Sequence, residues 1–147
     1  MQLDDLYRQV IMDHYQHPRN QGQLADDAIA VDLRNPSCGD EIRLQMLVED
    51  GVVKDVRFRG SGCSISMASA SMMTDAIKGK TISEALHLAQ TFRGMMKGEP
   101  ADLDELGELE SLQGVSKFPA RIKCATLAWQ ALERAAGSSE VDGEAKA

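Results

Sequence analysis

The sequence has no long hydrophobic run. Charged residues or glycine interrupt its apolar stretches well before the roughly 20 residues that a membrane-spanning helix requires. The first five residues, Met1–Asp5, are acidic, whereas a secretory signal begins with basic residues. We therefore expect a cytoplasmic protein that has no membrane partner.

Cysteine is scarce, with three residues in 147, and no two cysteines have the CxxC spacing of many metal sites. An odd number of thiols in a reducing compartment argues against a disulfide framework. The three thiols, Cys38, Cys63 and Cys124, are therefore expected to be metal ligands, nucleophiles or buried inert groups. Spacing alone does not decide among these.

Positive charge is also in short supply. Sixteen basic residues stand against 23 acidic ones, which gives a net charge of −7. Nucleic-acid binding depends on contacts from lysine and arginine to phosphate, so nucleic acid is not an expected partner. By the same argument, a protein partner is expected to present a basic surface.

Alternating apolar residues predict three strands, at 29–33, 42–48 and 52–59. Asp50-Gly51 is typical of a tight hairpin turn, so the strands should form an antiparallel meander. A helix with apolar positions from Leu3 to His14 precedes them and ends before His17-Pro18.

Helical periodicity follows the strands. We predict a helix from Ser64 to Lys78, another from Ile82 to about Met96 with a Thr81/Glu84 capping box, and a last helix after Pro119. The acidic stretch Glu99–Glu110 has leucine at every third position, which predicts a short helical segment with one solvent-exposed face. The fold class is therefore α+β, in one domain of residues 1–136, and residues 137–147 are predicted to be a disordered tail.

Each cysteine lies where a loop turns or an element begins. Cys38 lies between the first two strands, and Cys63 and Cys124 lie near helix N-termini, where the helix dipole favours a thiolate. If they meet in the fold, the three thiolates and the carboxylate of Asp40 form a ligand set suited to zinc, in which the oxygen ligand is the more exchangeable. The alternative is that each cysteine is a small buried hydrophobe.

Other residues are candidates for supporting or rival roles. Arg121 and Lys123 flank Cys124 and are expected either to offset the negative charge of the ligands or to be solvated surface residues. None of the three histidines, His14, His17 and His87, is placed by the sequence as a base for a cysteine, so a Cys–His hydrolase is disfavoured. His14 on an apolar stripe is expected to be a core residue, and the serines and methionines of 64–73 are expected to pack tightly.

Three motifs carry a family resemblance. They are Asn35-Pro36-Ser37-Cys38-Gly39-Asp40, the segment 60–71 around Cys63, and the segment 121–129 around Cys124. These motifs, with Tyr7, His14-Tyr15 and residues 18–22 of the N-terminal region, resemble the NifU/IscU-like iron–sulfur cluster assembly family, and within it the SufU branch. The resemblance covers about Leu3 to Ala135.

The resemblance implies an α/β sandwich in which helices pack on a small antiparallel sheet, with an exposed metal site at one end. It also implies Zn²⁺ bound by Cys38, Asp40, Cys63 and Cys124. The expected partner is a pyridoxal-phosphate-dependent, SufS-like cysteine desulfurase, which forms a persulfide on its own cysteine. A histidine of that enzyme then replaces Cys38 on the zinc, and Cys38 accepts the sulfur for downstream iron–sulfur assembly proteins. Arg121 is expected to position Cys38 or the partner.

Two alternatives remain open at the sequence level. One is a scaffold on which a transient 2Fe–2S cluster is assembled and passed to apo-proteins, and the other is an adaptor with a purely structural zinc. In the scaffold branch a histidine precedes the last cysteine, whereas this chain has Lys123, which cannot ligate while protonated. Cys63 and Cys124 also lie 61 positions apart, which is long for that branch. Both departures favour the zinc-dependent sulfurtransferase.

Overall fold

Three antiparallel strands, in the order β1–β2–β3, form the sheet on which the helices pack. The computed structural model describes residues 3–25, 27–36 and 39–146. The elements, in chain order, are α1 (Leu3–Gln16), β1 (Ile29–Asn35), β2 (Asp40–Glu49), β3 (Val52–Ser61), α2 (Ser64–Ile77), α3 (Ile82–Met96), α4 (Leu103–Leu106), a 3₁₀ helix (Gly107–Lys117) and α5 (Pro119–Lys146). The predicted α+β meander is confirmed.

The hairpin turn between β2 and β3 has the predicted chemistry. Asp50 and Gly51 both have positive φ, at 53° and 75°. A two-residue turn of this kind matches the right-handed twist of the flanking strands. The turn pairs Glu49 with Val52, and a bulge between Leu47 and Val48 then shifts the register by one residue, so that Phe58 lies opposite Leu44.

The turn between β1 and β2 brings the first cysteine motif to the opposite end of the sheet. Asn35 pairs with Asp40, and the N–H of Gly39 donates to the carbonyl of Asn35 at 2.9 Å. Gly39 has a φ of 72°, which residues with a side chain rarely adopt, so glycine suits this turn. Cys38, the predicted ligand and acceptor, lies outside the described residues.

The core lies between the inner face of the sheet and the helices α2 and α5. Leu44, Met46, Val56 and Phe58 of that face are fully buried. Helix α5 contacts β1 and β2, and α2 contacts β3. Farther from the sheet, α1 packs against α2 and α3 packs against α5. The rings of Phe92 and Trp129 stack at 4.7 Å. The sheet and two central helices thus form a rigid base for the end where the cysteine motifs meet.

The acidic stretch forms α4 and the 3₁₀ helix that follows it. A 3₁₀ helix has three residues per turn, so residues at every third position share one face. Four apolar residues at this spacing are buried: Leu106, Leu109, Leu112 and Val115. The predicted helical segment is confirmed, and it continues beyond Glu110 to Lys117.

Helix α5 differs from the prediction at its C-terminal end. It extends to Lys146 and so includes residues 137–146, for which the composition predicted a disordered tail. The segment has no proline, and a helix already held by the buried Trp129, Leu132 and Ala136 extends at little further cost. Among the helices of the described residues, none combines the length and apolar character needed to cross a membrane.

Candidate metal centre

Asp40, Cys63 and Cys124 meet at one end of the sheet. One ligand atom from each, a carboxylate oxygen and two Sγ atoms, lies within 4.8 Å of the other two. Asp40 is the first residue of β2, Cys63 precedes α2, and Cys124 lies in the second turn of α5. Three of the four predicted ligands are therefore brought together by elements that are distant in sequence. The fourth, Cys38, lies outside the described residues.

The carboxylate of Asp40 is completely buried. Its Oδ1 accepts the N–H of Cys63 at 3.0 Å, while Oδ2 has no hydrogen-bond partner among the described residues. Burying a charge costs several kcal/mol unless a cation or a hydrogen-bond donor satisfies it. The free Oδ2 therefore indicates a position for a cation beside the two thiols.

Cys63 is the N-cap residue of α2, with φ −73° and ψ 167°. The predicted position at a helix N-terminus is thereby confirmed. Its thiol is half-buried at the N-terminal end of α2. The hydroxyl of Ser66 donates to the carbonyl of Cys63 at 3.0 Å and lies 3.8 Å from its Sγ. Ser66 thus fixes the turn that presents the thiol, a role that the sequence did not reveal.

The glycines before Cys63 are needed for close approach. Gly60 belongs to β3, and Gly62 follows the end of that strand. A Cβ atom on Gly60 would lie 2.1 Å from the carbonyl oxygen of Glu41, and one on Gly62 would lie 2.3 Å from Oδ1 of Asp40. Neither position therefore has space for a side chain.

Cys124 is buried, and Arg121 lies one helical turn before it on α5. A hydrogen bond to Cys124 and the charge of Cys63 raise the pKa of the Arg121 guanidinium above its ordinary value. This cation therefore lies beside both cysteine side chains. Lys123 is exposed and makes no ion pair with the residues that the structure describes.

The donor set fits zinc. A tetrahedron with Zn–S bonds of about 2.3 Å has edges of about 3.8 Å, and the observed ligand atoms lie within 4.8 Å of one another. Two sulfur donors and a carboxylate oxygen suit zinc better than a hard cation such as Mg²⁺. Oxygen is the weaker donor here, so Asp40 is the arm most ready to exchange.

The histidines lie outside this cluster. His14 is 1% exposed, its Nδ1 lies 2.8 Å from Oγ of Ser71, and its Nε2 contacts the carboxylate of Glu108. The prediction of a satisfied core histidine is confirmed. His87 is exposed and pairs with Glu105 at 3.2 Å. Within the described part of the chain, the metal-ligating cluster contains no histidine.

The serines of α2 serve helix packing, as predicted. Ser69 donates to the carbonyl of Ala125 at 2.6 Å and accepts from the indole N–H of Trp129 at 3.2 Å. These bonds hold α2 against α5, and therefore hold Cys63 near Cys124. Ser71 accepts the N–H of Arg19 at 2.8 Å and holds the loop after α1.

Comparison with known proteins places the chain in a family. Residues 6–125 match the model of the NifU-like N-terminal domain. The zinc-dependent sulfurtransferase SufU of Bacillus subtilis is 61% identical over 139 residues, which are 94% of each chain. The iron–sulfur cluster assembly scaffold protein IscU of Streptococcus pyogenes is 52% identical over 90% of this chain and 84% of its own.

A solved structure agrees with these relatives. A proposed iron–sulfur cluster assembly scaffold protein for the SUF system, from Fervidobacterium islandicum AW-1, superposes with a TM-score of 0.84 at 35% identity. The match covers 92% of this chain and 99% of that one. The chain belongs to the NifU/IscU-like iron–sulfur cluster assembly family, in its SufU branch.

Proposed function

We propose that the chain is a zinc-dependent sulfurtransferase that takes persulfide sulfur from a cysteine desulfurase for iron–sulfur cluster assembly. The observation that carries this proposal is the buried carboxylate of Asp40, which has one oxygen without a hydrogen-bond partner among the described residues and one oxygen within 4.8 Å of the Sγ atoms of Cys63 and Cys124. The 61% identity to a zinc-dependent sulfurtransferase supports the same activity. The cytoplasm stays the predicted compartment, because free thiols need reducing conditions.

Four residues would hold the zinc: Cys38, Asp40, Cys63 and Cys124. Cys38 is separated from Asp40 by one residue, so their Cα atoms are at most about 7.6 Å apart. This covalent limit keeps Cys38 within reach of the three clustered ligand atoms. When bound, zinc supplies a positive charge that keeps thiols deprotonated at neutral pH.

Cys38 is the proposed sulfur acceptor, since the sequence places it between the first two predicted strands, whereas Cys63 is the N-cap residue of α2 and Cys124 lies on α5. Its thiolate attacks the outer sulfur of the persulfide on the desulfurase. A new S–S bond forms at Cys38, the bond between the outer sulfur and the donor cysteine breaks, and the electron pair leaves with the donor thiolate. The exchange balances without an added oxidant or reductant.

Arg121 supports this exchange from α5. Its guanidinium lies beside Cys63 and Cys124, and their side chains raise the pKa of Arg121 above its ordinary value. A cation at this position also attracts the thiolate that leaves the donor cysteine. We therefore keep Arg121 as a positioning residue for the acceptor or the partner.

A scaffold for a 2Fe–2S cluster is the second candidate. It is favoured by the 52% identity to a protein named as a scaffold. The ligand cluster of the described residues argues against it, because it contains no histidine and Lys123 precedes Cys124. An ammonium group there cannot replace an imidazole ligand.

One experiment separates the two candidates. Zinc-loaded protein is incubated with a SufS-type desulfurase, pyridoxal phosphate and cysteine, and its mass is measured without reductant. We expect one extra sulfur atom on Cys38, and we expect Cys38→Ser to abolish both this adduct and the stimulation of the desulfurase. A parallel sample receives iron and sulfide. A coloured cluster that survives gel filtration, with no persulfide on Cys38, would establish the scaffold instead.

A further inference from the structure

Phe118 is the most exposed large hydrophobic residue in the described part of the chain. Its exposed fraction is 61%, and Tyr15 follows with 41%. Phe118 immediately precedes α5, and its carbonyl accepts the N–H of Arg121 at 2.8 Å. An apolar ring is thus held in solvent one turn before the arginine that faces the thiols.

The ring borders a groove with a volume of about 440 Å³. We call it the Phe118 groove. It lies between α1, the start of α2 and the end of the 3₁₀ helix, and its main lining residues are Tyr7, Arg8, Ile11, Ile65, Val115 and Phe118. Its floor is mostly aliphatic or aromatic, so an inserted apolar side chain would be removed from water there.

The groove opens at the same end of the molecule as the metal centre. Ile65 follows Cys63 by two residues, and Phe118 precedes Arg121 by three. Along α1, by contrast, His14 contacts Ser71, eight residues after Cys63. Eight helical residues span about 12 Å, so Tyr15 lies well away from the thiols whereas Phe118 lies near them.

Cations outnumber carboxylates around the groove, where Glu110 accepts a hydrogen bond from the hydroxyl of Tyr7. Arg8 and Lys117 line it and form no ion pair with other residues in the described ranges. Arg121 and Lys123, both exposed, continue the positive charge toward Cys124. The total charge of −7 predicted a basic partner, but the charge at this end has the opposite sign. The charge close to the contact surface governs docking, so the complementary surface on the partner carries acidic residues around the contact.

We infer that the Phe118 groove binds the cysteine desulfurase. A surface segment of that enzyme inserts an apolar side chain into the groove, and carboxylates on either side of that side chain face the cations of this chain. This inference rests on the proposed sulfur transfer and names where the donor binds. The apolar groove supplies affinity, and the four cations supply orientation and a faster encounter. Its position beside the thiols lets one docking event bring the persulfide to the acceptor loop.

The test measures affinity directly. Zinc-loaded wild type and variants are titrated against a purified SufS-type desulfurase by calorimetry at low and moderate salt. Phe118→Ala should raise Kd about 10- to 100-fold, as expected for a central apolar anchor. Lys117→Glu should raise Kd about tenfold at low salt and reduce its salt dependence. Zinc content should stay unchanged in both.

Two matched variants serve as controls. Tyr15→Ala removes the other exposed aromatic ring, and Lys54→Glu reverses an exposed lysine at the opposite end of β3. Both should bind within about twofold of wild type. At saturating desulfurase, the rate of sulfur transfer to Phe118→Ala should return to the wild-type rate, because the ring acts in docking alone.

The outcomes separate this inference from the proposed function. If wild type accepts sulfur but wild type and Phe118→Ala have equal Kd values, docking at the Phe118 groove is wrong and the proposed sulfurtransferase activity is unaffected. Binding that depends on Phe118 without any persulfide on the chain would support the groove and overturn the sulfurtransferase. Loss of self-association in Phe118→Ala, with unchanged desulfurase binding, would assign the groove to a second copy and overturn the inference.

Discussion

Gly62 and Asp40 lie so close that the metal centre has no room for a side chain at position 62. A Cβ atom there would lie 2.3 Å from Oδ1 of Asp40 and 2.7 Å from Oγ of Ser66. Neither neighbour is free to move, since Oδ1 accepts the N–H of Cys63 and Ser66 donates to the carbonyl of that residue. The absence of one carbon atom therefore allows the carboxylate to reach the thiols.

Gly62→Ala should damage the centre while leaving the fold in place. The new methyl group would displace the Asp40 carboxylate, so we expect zinc affinity to fall by about tenfold or more. Gly94→Ala is the control, because a Cβ there meets no atom within 4 Å and α3 should gain about 0.5–1 kcal/mol of stability. Zinc titration and thermal unfolding measure both effects. Equal zinc affinity in the two variants would contradict the proposed crowding.

Asp40→Ala should separate metal binding from sulfur transfer. It removes the oxygen ligand and leaves the three proposed thiolate ligands, so zinc should remain bound. Sulfur transfer should fall, because orderly exchange with the partner depends on the complete ligand set. Asp40→Asn keeps an acceptor for the N–H of Cys63 and isolates the loss of charge. Undiminished desulfurase stimulation by Asp40→Ala would refute this role.

Removal of zinc should loosen the centre before the sheet unfolds. The sheet and the central helices have their own core, including the fully buried Leu44, Phe58 and Trp129. After chelation, hydrogen exchange should accelerate at the amides around Cys63 and Cys124 but not at those of β2 and β3. The apo and zinc-loaded forms are compared by mass spectrometry. Simultaneous loss of protection in both regions would mean that zinc holds the whole domain.

His14→Ala should destabilise the fold without altering the chemistry. The variant loses the contacts of the ring with Ser71 and Glu108 and leaves a cavity beneath α1. We expect a loss of roughly 2–3 kcal/mol in the free energy of unfolding. Zinc content and sulfur transfer at saturating desulfurase, measured at a temperature where the variant is folded, should match wild type. A loss of sulfur transfer in the folded variant would instead indicate that His14 takes part in catalysis.

The capping box of α3 should give a defined pH dependence. Hydrogen bonds from the backbone and the side chain of Thr81 lower the pKa of Glu84 below its ordinary 4.5. A lowered folded-state pKa gives stability that is present above pH 4.5 and is lost as the pH falls through the folded pKa. Wild type should therefore unfold at a higher temperature than Glu84→Gln at pH 7, and the difference should disappear in acid. A difference that persists at low pH would exclude this origin.

The sequence by itself determined the order and type of the elements. Alternation marked the three strands, Asp50-Gly51 marked the hairpin, and Thr81 with Glu84 marked the start of α3; the structure has each of these. These features depend on neighbouring residues, so local sequence is sufficient to specify them. The cysteine motifs likewise identified three of the residues that the structure brings together.

Only the tertiary structure decided what depends on residues distant in the chain. The extension of α5 through residues 137–146 follows from a helix already packed in the core, which composition alone does not register. The free oxygen of Asp40, the crowding at Gly62 and the exposed Phe118 each arise where elements far apart in sequence approach one another. Burial and close approach are properties of packing, and a local sequence pattern does not contain them.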